Sequence, residues 1–250
     1  MEKINILNTI NYIEVEKIDD KKRPVVVVVP GGGYDHTSVR EGIFISQAFN
    51  KAGFHTVTLR YRETLDLYPA PLEELLFAID YARRMDCADK NKIILIGFSA
   101  GAHLVGLANE HYKEYKYDSK PNLNILCYPV TLSNDYFTHR STFNYLLGDD
   151  VKNIDKLNMV DIVRNVGDDF APSFVWHTAT DESVPVFNSI KLVEALILKG
   201  IKCEYHIFPD GPHGLSLASK ESAMDDKRKE MPYVARWFQM ALDFIHNTLD

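Results

Sequence analysis

The sequence is short of cysteine. Cys87, Cys127 and Cys203 stand far apart in a chain of 250 residues. Their number is odd and no CxxC pair occurs, so neither a disulfide framework nor a zinc cluster is expected. Long hydrophobic runs are also missing. The longest purely aliphatic stretch is Val25 to Val29, far below the roughly 18 apolar residues of a membrane helix. No membrane partner is expected. The first residues, MEKINILNTINYIEVEK, are interrupted by charges and hold no apolar signal segment, so a cytoplasmic location is expected. Basic charge is in deficit, with 28 Lys and Arg against 35 Asp and Glu, a net charge of −7. Binding to phosphate backbones needs a basic face, which argues against a general nucleic-acid binder. Repeats, low-complexity tracts and linkers are absent too. One domain over residues 1–250 is the expectation.

What is present is ordinary globular material, 46% apolar and 25% charged. Strand and helix patterns alternate. Val25 to Val29 reads as a strand buried on both faces. Ser38 to Ala52 reads as a helix stopped by Gly53, and Phe54 to Tyr61 as the next strand. From Pro69 to Met85, Leu72, Leu75, Leu76 and Ile79 fall on one helix face. Lys92 to Ile96 is a third strand, followed by helix formers from Ala100 to Glu110. Asn124 to Tyr128, Phe174 to Thr178 and Cys203 to Phe208 are further strands. Val186 to Lys199 and Pro232 to Leu249 are helices. Such units build a mostly parallel central sheet with helices on both faces. The stretch Thr131 to Phe170 breaks the rhythm. It is either an excursion over the C-terminal strand ends, where open α/β sheets bind ligands, or a plain surface insertion. Exposed apolar positions on the C-terminal helix would suit a homodimer.

The strongest signal is Gly97-Phe98-Ser99-Ala100-Gly101, between an apolar strand and a helix. In a G-x-S-x-G elbow the serine occupies a sharp turn and exposes its Oγ, while the glycines let strand and helix backbones crowd. Without chemistry, the same residues make a glycine-rich turn with a capping serine. Pro30-Gly31-Gly32-Gly33-Tyr34 follows the valine run. Glycines let a chain pass close to a substrate, so Gly31 and Gly32, with Ala100, are the expected oxyanion donors. Tyr34 either lines the adjoining pocket or packs as a core aromatic. Tyr128 is a second pocket candidate. The order expected of an α/β-hydrolase is Ser, then acid, then His. Asp181 follows a late strand and is the expected acid, with Glu182 the neighbour that invites confusion. Among nine histidines, His213 alone sits in a Gly/Pro-rich loop after the last strand. It is the expected base. His103 and His177 lie within a helix and a strand and are expected to pack or hydrogen-bond. No HExxH or paired His/Cys spacing occurs, so no metal and no cofactor is expected.

Seven stretches carry a family resemblance: PGGGY, the RYR at 60–62, YPAPLEELLFAI, KIILIGFSAGAHL, CYPV, WHTATDESVPVFNS and FPDGPHGL. Together they resemble bacterial α/β-hydrolases of the acetyl xylan esterase-like, carbohydrate esterase/lipase group. The resemblance implies the α/β-hydrolase fold and a catalytic triad falling on Ser99, Asp181 and His213. It implies hydrolysis of small acyl esters, often acetyl groups on sugars, with a small-molecule ester as the partner. Small acetylated saccharides met inside the cell are favoured over polymeric xylan, since neither a signal peptide nor a carbohydrate-binding module is recognised. Two other readings stay open: a small peptidase of the prolyl oligopeptidase type and a non-catalytic hydrolase-fold binding protein.

Overall fold

The computed structural model describes residues 1–7 and 9–250. Its frame is one eight-stranded sheet. The strands are β1 (Glu2–Asn5), β2 (Tyr12–Glu16), β3 (Arg23–Val29), β4 (His55–Arg60), β5 (Ala88–Phe98), β6 (Leu123–Cys127), β7 (Ser173–Thr178) and β8 (Cys203–Phe208). They are ordered β1-β2-β4-β3-β5-β6-β7-β8. From β4 to β8 all neighbours are parallel. The helices are α1 (Ile43–Lys51), α2 (Ala70–Arg84), α3 (Ala100–His111), α4 (Arg140–Leu147), α5 (Ile154–Met159), α6 (Ile162–Asn165), α7 (Phe187–Leu198), α8 (Lys220–Ala223) and α9 (Trp237–Leu249).

The valine run explains the layering. Alternate residues of a strand face opposite sides. Val25, Val27 and Val29 therefore join Leu72, Leu75, Leu76 and Leu104 under α2 and α3. Val26 and Val28 join Ile45, Phe49, Trp237 and Phe244 under α1 and α9. Each valine is fully buried, worth about 1.5–3 kcal/mol apiece.

The chain leaves β3 for β4 on one side, then returns through α2 to β5 on the other. Strand order thus reverses at β3, and the register sets Val29 beside Gly97. The glycine loop after β3 and the elbow after β5 are brought together at this switch point, where α/β sheets bind ligands.

Two expectations need correcting, and one pair of strands was not foreseen. An antiparallel pair, β1 and β2, extends the sheet beyond the parallel strands. Its signal was the alternation in YIEVE, where only Ile13 and Val15 are buried. The helix expected from Ser38 starts at Ile43. Ser38 N–H instead donates to Gly31 C=O at 3.0 Å and Gly42 N–H to Val39 C=O at 3.1 Å, which folds 38–42 into turns. On the C-terminal helix the apolar side chains pack inward: Trp237, Ala241, Phe244 and Ile245 are buried, and Phe238, Met240 and Leu242 lean on the same core. The outward positions are Gln239, Asp243, His246 and Asn247. The apolar face that would suit a dimer is used in the core. Among the described residues, no helix is long and apolar enough to cross a membrane.

Candidate active site

Ser99 stands between β5 and α3 with φ 53° and ψ −117°. This conformation is costly for a side-chain-bearing residue. Its surroundings hold it there. Ser99 N–H donates to Cys127 C=O at 3.0 Å. A Cβ at Gly97 would meet Ala102 Cα at 2.5 Å, and one at Gly101 would strike Val29 C=O. Strand and helix cross too closely for any other residue at these two positions.

His213 comes from the loop after β8. Its Nε2 lies 2.9 Å from Ser99 Oγ and its Nδ1 lies 2.6 Å from Asp181 Oδ2. An ionised carboxylate only accepts, so Nδ1 carries the proton and Nε2 is left to accept from the serine hydroxyl. Asp181 is clamped in its turn. Its Oδ1 accepts from Ser183 N–H and Val184 N–H, each at 2.9 Å. His177 Nε2 lies 3.3 Å from Oδ2. Burial alone would raise the Asp181 pKa. Hydrogen bonds from His177 and His213, the charge of His213 and the Val184 amide outweigh it and hold the carboxyl below the usual range.

The glycine loop departs from expectation at one residue. Gly31 N–H donates to Glu41 Oε2 at 2.9 Å, so it is not available to an oxyanion. Gly32 and Ala100 N–H have no acceptor among the described residues. Gly32 and Gly33 line the pocket with Ser99. Gly32 has φ 123°, and a Cβ there would strike His36 C=O. The loop is wound tightly by Asp35 and His36 amides donating to Gly32 C=O at 2.9 and 3.2 Å.

Neither tyrosine lines the pocket. Tyr34 is fully buried, its hydroxyl 2.9 Å from His103 Nδ1 and its ring edge-on to Tyr61. It is a core aromatic. Tyr128 lies behind His213, with ring centroids 5.0 Å apart. Its hydroxyl donates to Glu41 Oε1 at 2.7 Å and accepts from Ser216 N–H at 2.9 Å. Burial, then the Glu41 charge, pushes its pKa well up, so it stays a donor. Glu41 was not foreseen. It is buried in a turn that the sequence pattern reads as helix, and it ties the glycine loop to the loop bearing His213.

The pocket measures about 480 Å³ and is walled by Gly32, Gly33, Ser99, His139, Tyr145 and His213. His139 and Tyr145 belong to the stretch after β6, which thus contributes to the pocket wall. Burial, then the nearby His213 charge, pushes the His139 pKa down. A second cavity of about 590 Å³ shares Ser183, His213 and Lys229 with the first.

A mostly parallel sheet flanked by helices, with a serine on its strand-to-helix elbow facing a late-loop histidine, defines an α/β-hydrolase. Within that class, residues 12–196 match the model of the BD-FAE family, and the chain belongs to it. The acetyl ester-xyloside bifunctional hydrolase of Caldicellulosiruptor lactoaceticus superposes with a TM-score of 0.86 at 31% identity, over 96% of this chain and 89% of that one. A carboxylesterase of Lactobacillus plantarum also gives 0.86 at 31% identity, over 98% and 96%. Endo-1,4-beta-xylanase B of Butyrivibrio fibrisolvens is 32% identical over 81% of this chain, and an acetylxylan esterase of Xylanibacter ruminicola is 28% identical over 78%. The chain spans only 34% and 41% of these two curated relatives.

Proposed function

We propose that this chain is a serine carboxylic ester hydrolase that removes acetyl or other short acyl groups from a small ester, a carbohydrate ester in the first instance. The observation that carries the reading is the unbroken hydrogen-bonded chain Ser99–His213–Asp181 opening on a pocket beside two unengaged amides. The esterase relatives support the reaction class, and the acetyl-ester and acetylxylan relatives support the acyl group.

Each step uses a group already in place. His213 Nε2 takes the Ser99 proton as Oγ attacks the acyl carbon. Negative charge develops on the former carbonyl oxygen, and the unengaged amides of Gly32 and Ala100 receive it. One such donor is typically worth about 10²–10³ in rate. His213 then gives its proton to the leaving alcohol, and an acyl-serine remains. Water, deprotonated by the same nitrogen, attacks the acyl-serine and releases the acid. Asp181 stays charged throughout, because its clamp opposes protonation.

Hydrolysis of p-nitrophenyl esters from acetyl to octanoyl tests this directly. The expected result is highest kcat/KM at acetyl, with at least about 10⁴-fold loss in Ser99→Ala. A preference for long chains would remove the short-acyl part of the proposal. Equal activity in the variant would overturn the mechanism.

A further inference from the structure

The Ser99 pocket carries two cations without an anionic partner. Arg40 lies in the turn before α1, and its Nη1 is buried with no hydrogen-bond acceptor among the described residues. Lys229 follows α8, is half-buried, and lines both cavities. Among the described residues its Nζ donates only to Gly214 C=O, at 3.1 Å. Neither residue forms an ion pair among the described residues. The nearby carboxylates are engaged elsewhere. Glu41 uses one oxygen on Gly31 and the other on Tyr128. Asp226 grips Arg228 with both oxygens, at 2.9 and 3.0 Å. Asp35, half-exposed, faces His36 at 3.4 Å. The Ser99 pocket wall thus holds two cations and two carboxylates, but Asp35 faces His36 and Glu41 is bound on both oxygens, which leaves Arg40 and Lys229 as the charged groups able to receive an anion. Burial, and then the Arg40 charge, pushes the Lys229 pKa down. An anion placed between the two would relieve that repulsion.

The location of the charge says which half of a substrate meets it. A Cβ at Gly214 would lie 3.2 Å from Lys229 Nζ, so the ammonium sits against the residue after His213. The leaving alcohol must come to His213 to receive its proton. We propose that the alcohol half of the substrate carries a carboxylate, as an acidic sugar does, and that Arg40 and Lys229 bind it. This rests on the esterase reading above. A guanidinium with a free buried N–H and an adjacent ammonium form a charge-assisted site for such a group.

The test compares two acetyl esters of the same shape, 4-acetoxybenzoate and 4-acetoxybenzamide, on the wild type, Lys229→Met and Arg40→Gln. Taking ratios cancels the different leaving-group reactivities. Each variant is expected to lower kcat/KM for the carboxylate ester about 10-fold more than for the amide, on the scale of one charged contact. High salt is expected to narrow the wild-type ratio. If both variants slow the two esters equally, these residues only brace the loop, and the inference is overturned. If the wild type hydrolyses neither ester, the esterase reading itself fails and takes this one with it. Two variants on separate segments keep the test usable should one fail to fold.

Discussion

Asp181 is held ionised in a buried place because Ser183 N–H, Val184 N–H and His213 Nδ1–H donate to it, with His177 alongside at 3.3 Å. That fixes the His213 tautomer, and the proposed mechanism uses this tautomer to take the Ser99 proton. Glu41 is the less visible part of the same device. It accepts from Gly31 in the glycine loop and from Tyr128, whose hydroxyl holds Ser216, three residues past His213. Glu41→Gln replaces one accepting oxygen by a donor, so either Gly31 N–H or Tyr128 O–H loses its acceptor, at a cost of about 1–3 kcal/mol. Its kcat on p-nitrophenyl acetate is expected to fall about 10- to 100-fold, with KM little changed, because positioning is lost rather than a ground-state contact. A rise in KM at constant kcat would contradict this role. Residue order along the chain was enough to single out Ser99, Asp181 and His213, which the fold brings within hydrogen-bonding distance, because each follows its own strand end. Glu41 was beyond that reasoning. Its hydrogen bond to Tyr128 spans 87 residues, and no local pattern marks such a partner. Gly31 was misassigned for the same reason, since its engagement depends on Glu41.

Among the elements, α3 does more than present the serine. Its His103 is fully buried and joins two other segments. Nε2 lies 2.8 Å from Val160 C=O in the excursion, and Nδ1 lies 2.9 Å from the Tyr34 hydroxyl beside the glycine loop. A carbonyl only accepts, so Nε2 carries the proton and the ring is neutral. Burial pushes the His103 pKa down to about 4, against about 6.5 in an unfolded chain. Below about 6.5 the unfolded chain takes up the proton first. Stability from the neutral ring is therefore complete above that pH and is lost as pH falls from about 6.5 to about 4. The gap corresponds to about 3 kcal/mol at 1.36 kcal/mol per pH unit. Urea unfolding of the wild type is expected to weaken across that window more steeply than that of His103→Gln. Parallel curves would show that His103 is not the linked group. Periodicity identified the parallel strands and α2 well, since these are continuous apolar or one-faced segments. It misplaced the start of α1, where Ser38–Gly42 form hydrogen-bonded turns without losing a helix-like apolar spacing. It passed over β1 and β2, short strands at the open side of the sheet with half their residues polar.

For the whole molecule, topology explains why the distant motifs meet. The reversal of strand order at β3 sets the glycine loop beside the elbow, and the parallel order β6-β7-β8 brings the acid and base loops to the same end of the sheet. The second core secures that end. Trp237 stacks on Trp176 at 5.1 Å and donates from Nε1 to Ser216 C=O at 3.0 Å, tying α9 to the loop of His213. The proposed function requires this assembly to make Ser99 an activated nucleophile. The most direct measurement is intact-mass and peptide analysis after treatment with an alkyl fluorophosphonate, which captures activated serines covalently. One adduct is expected, on the peptide bearing Ser99, absent in Ser99→Ala and formed far more slowly in His213→Ala. An unlabelled protein, or an adduct on another residue, would contradict the account.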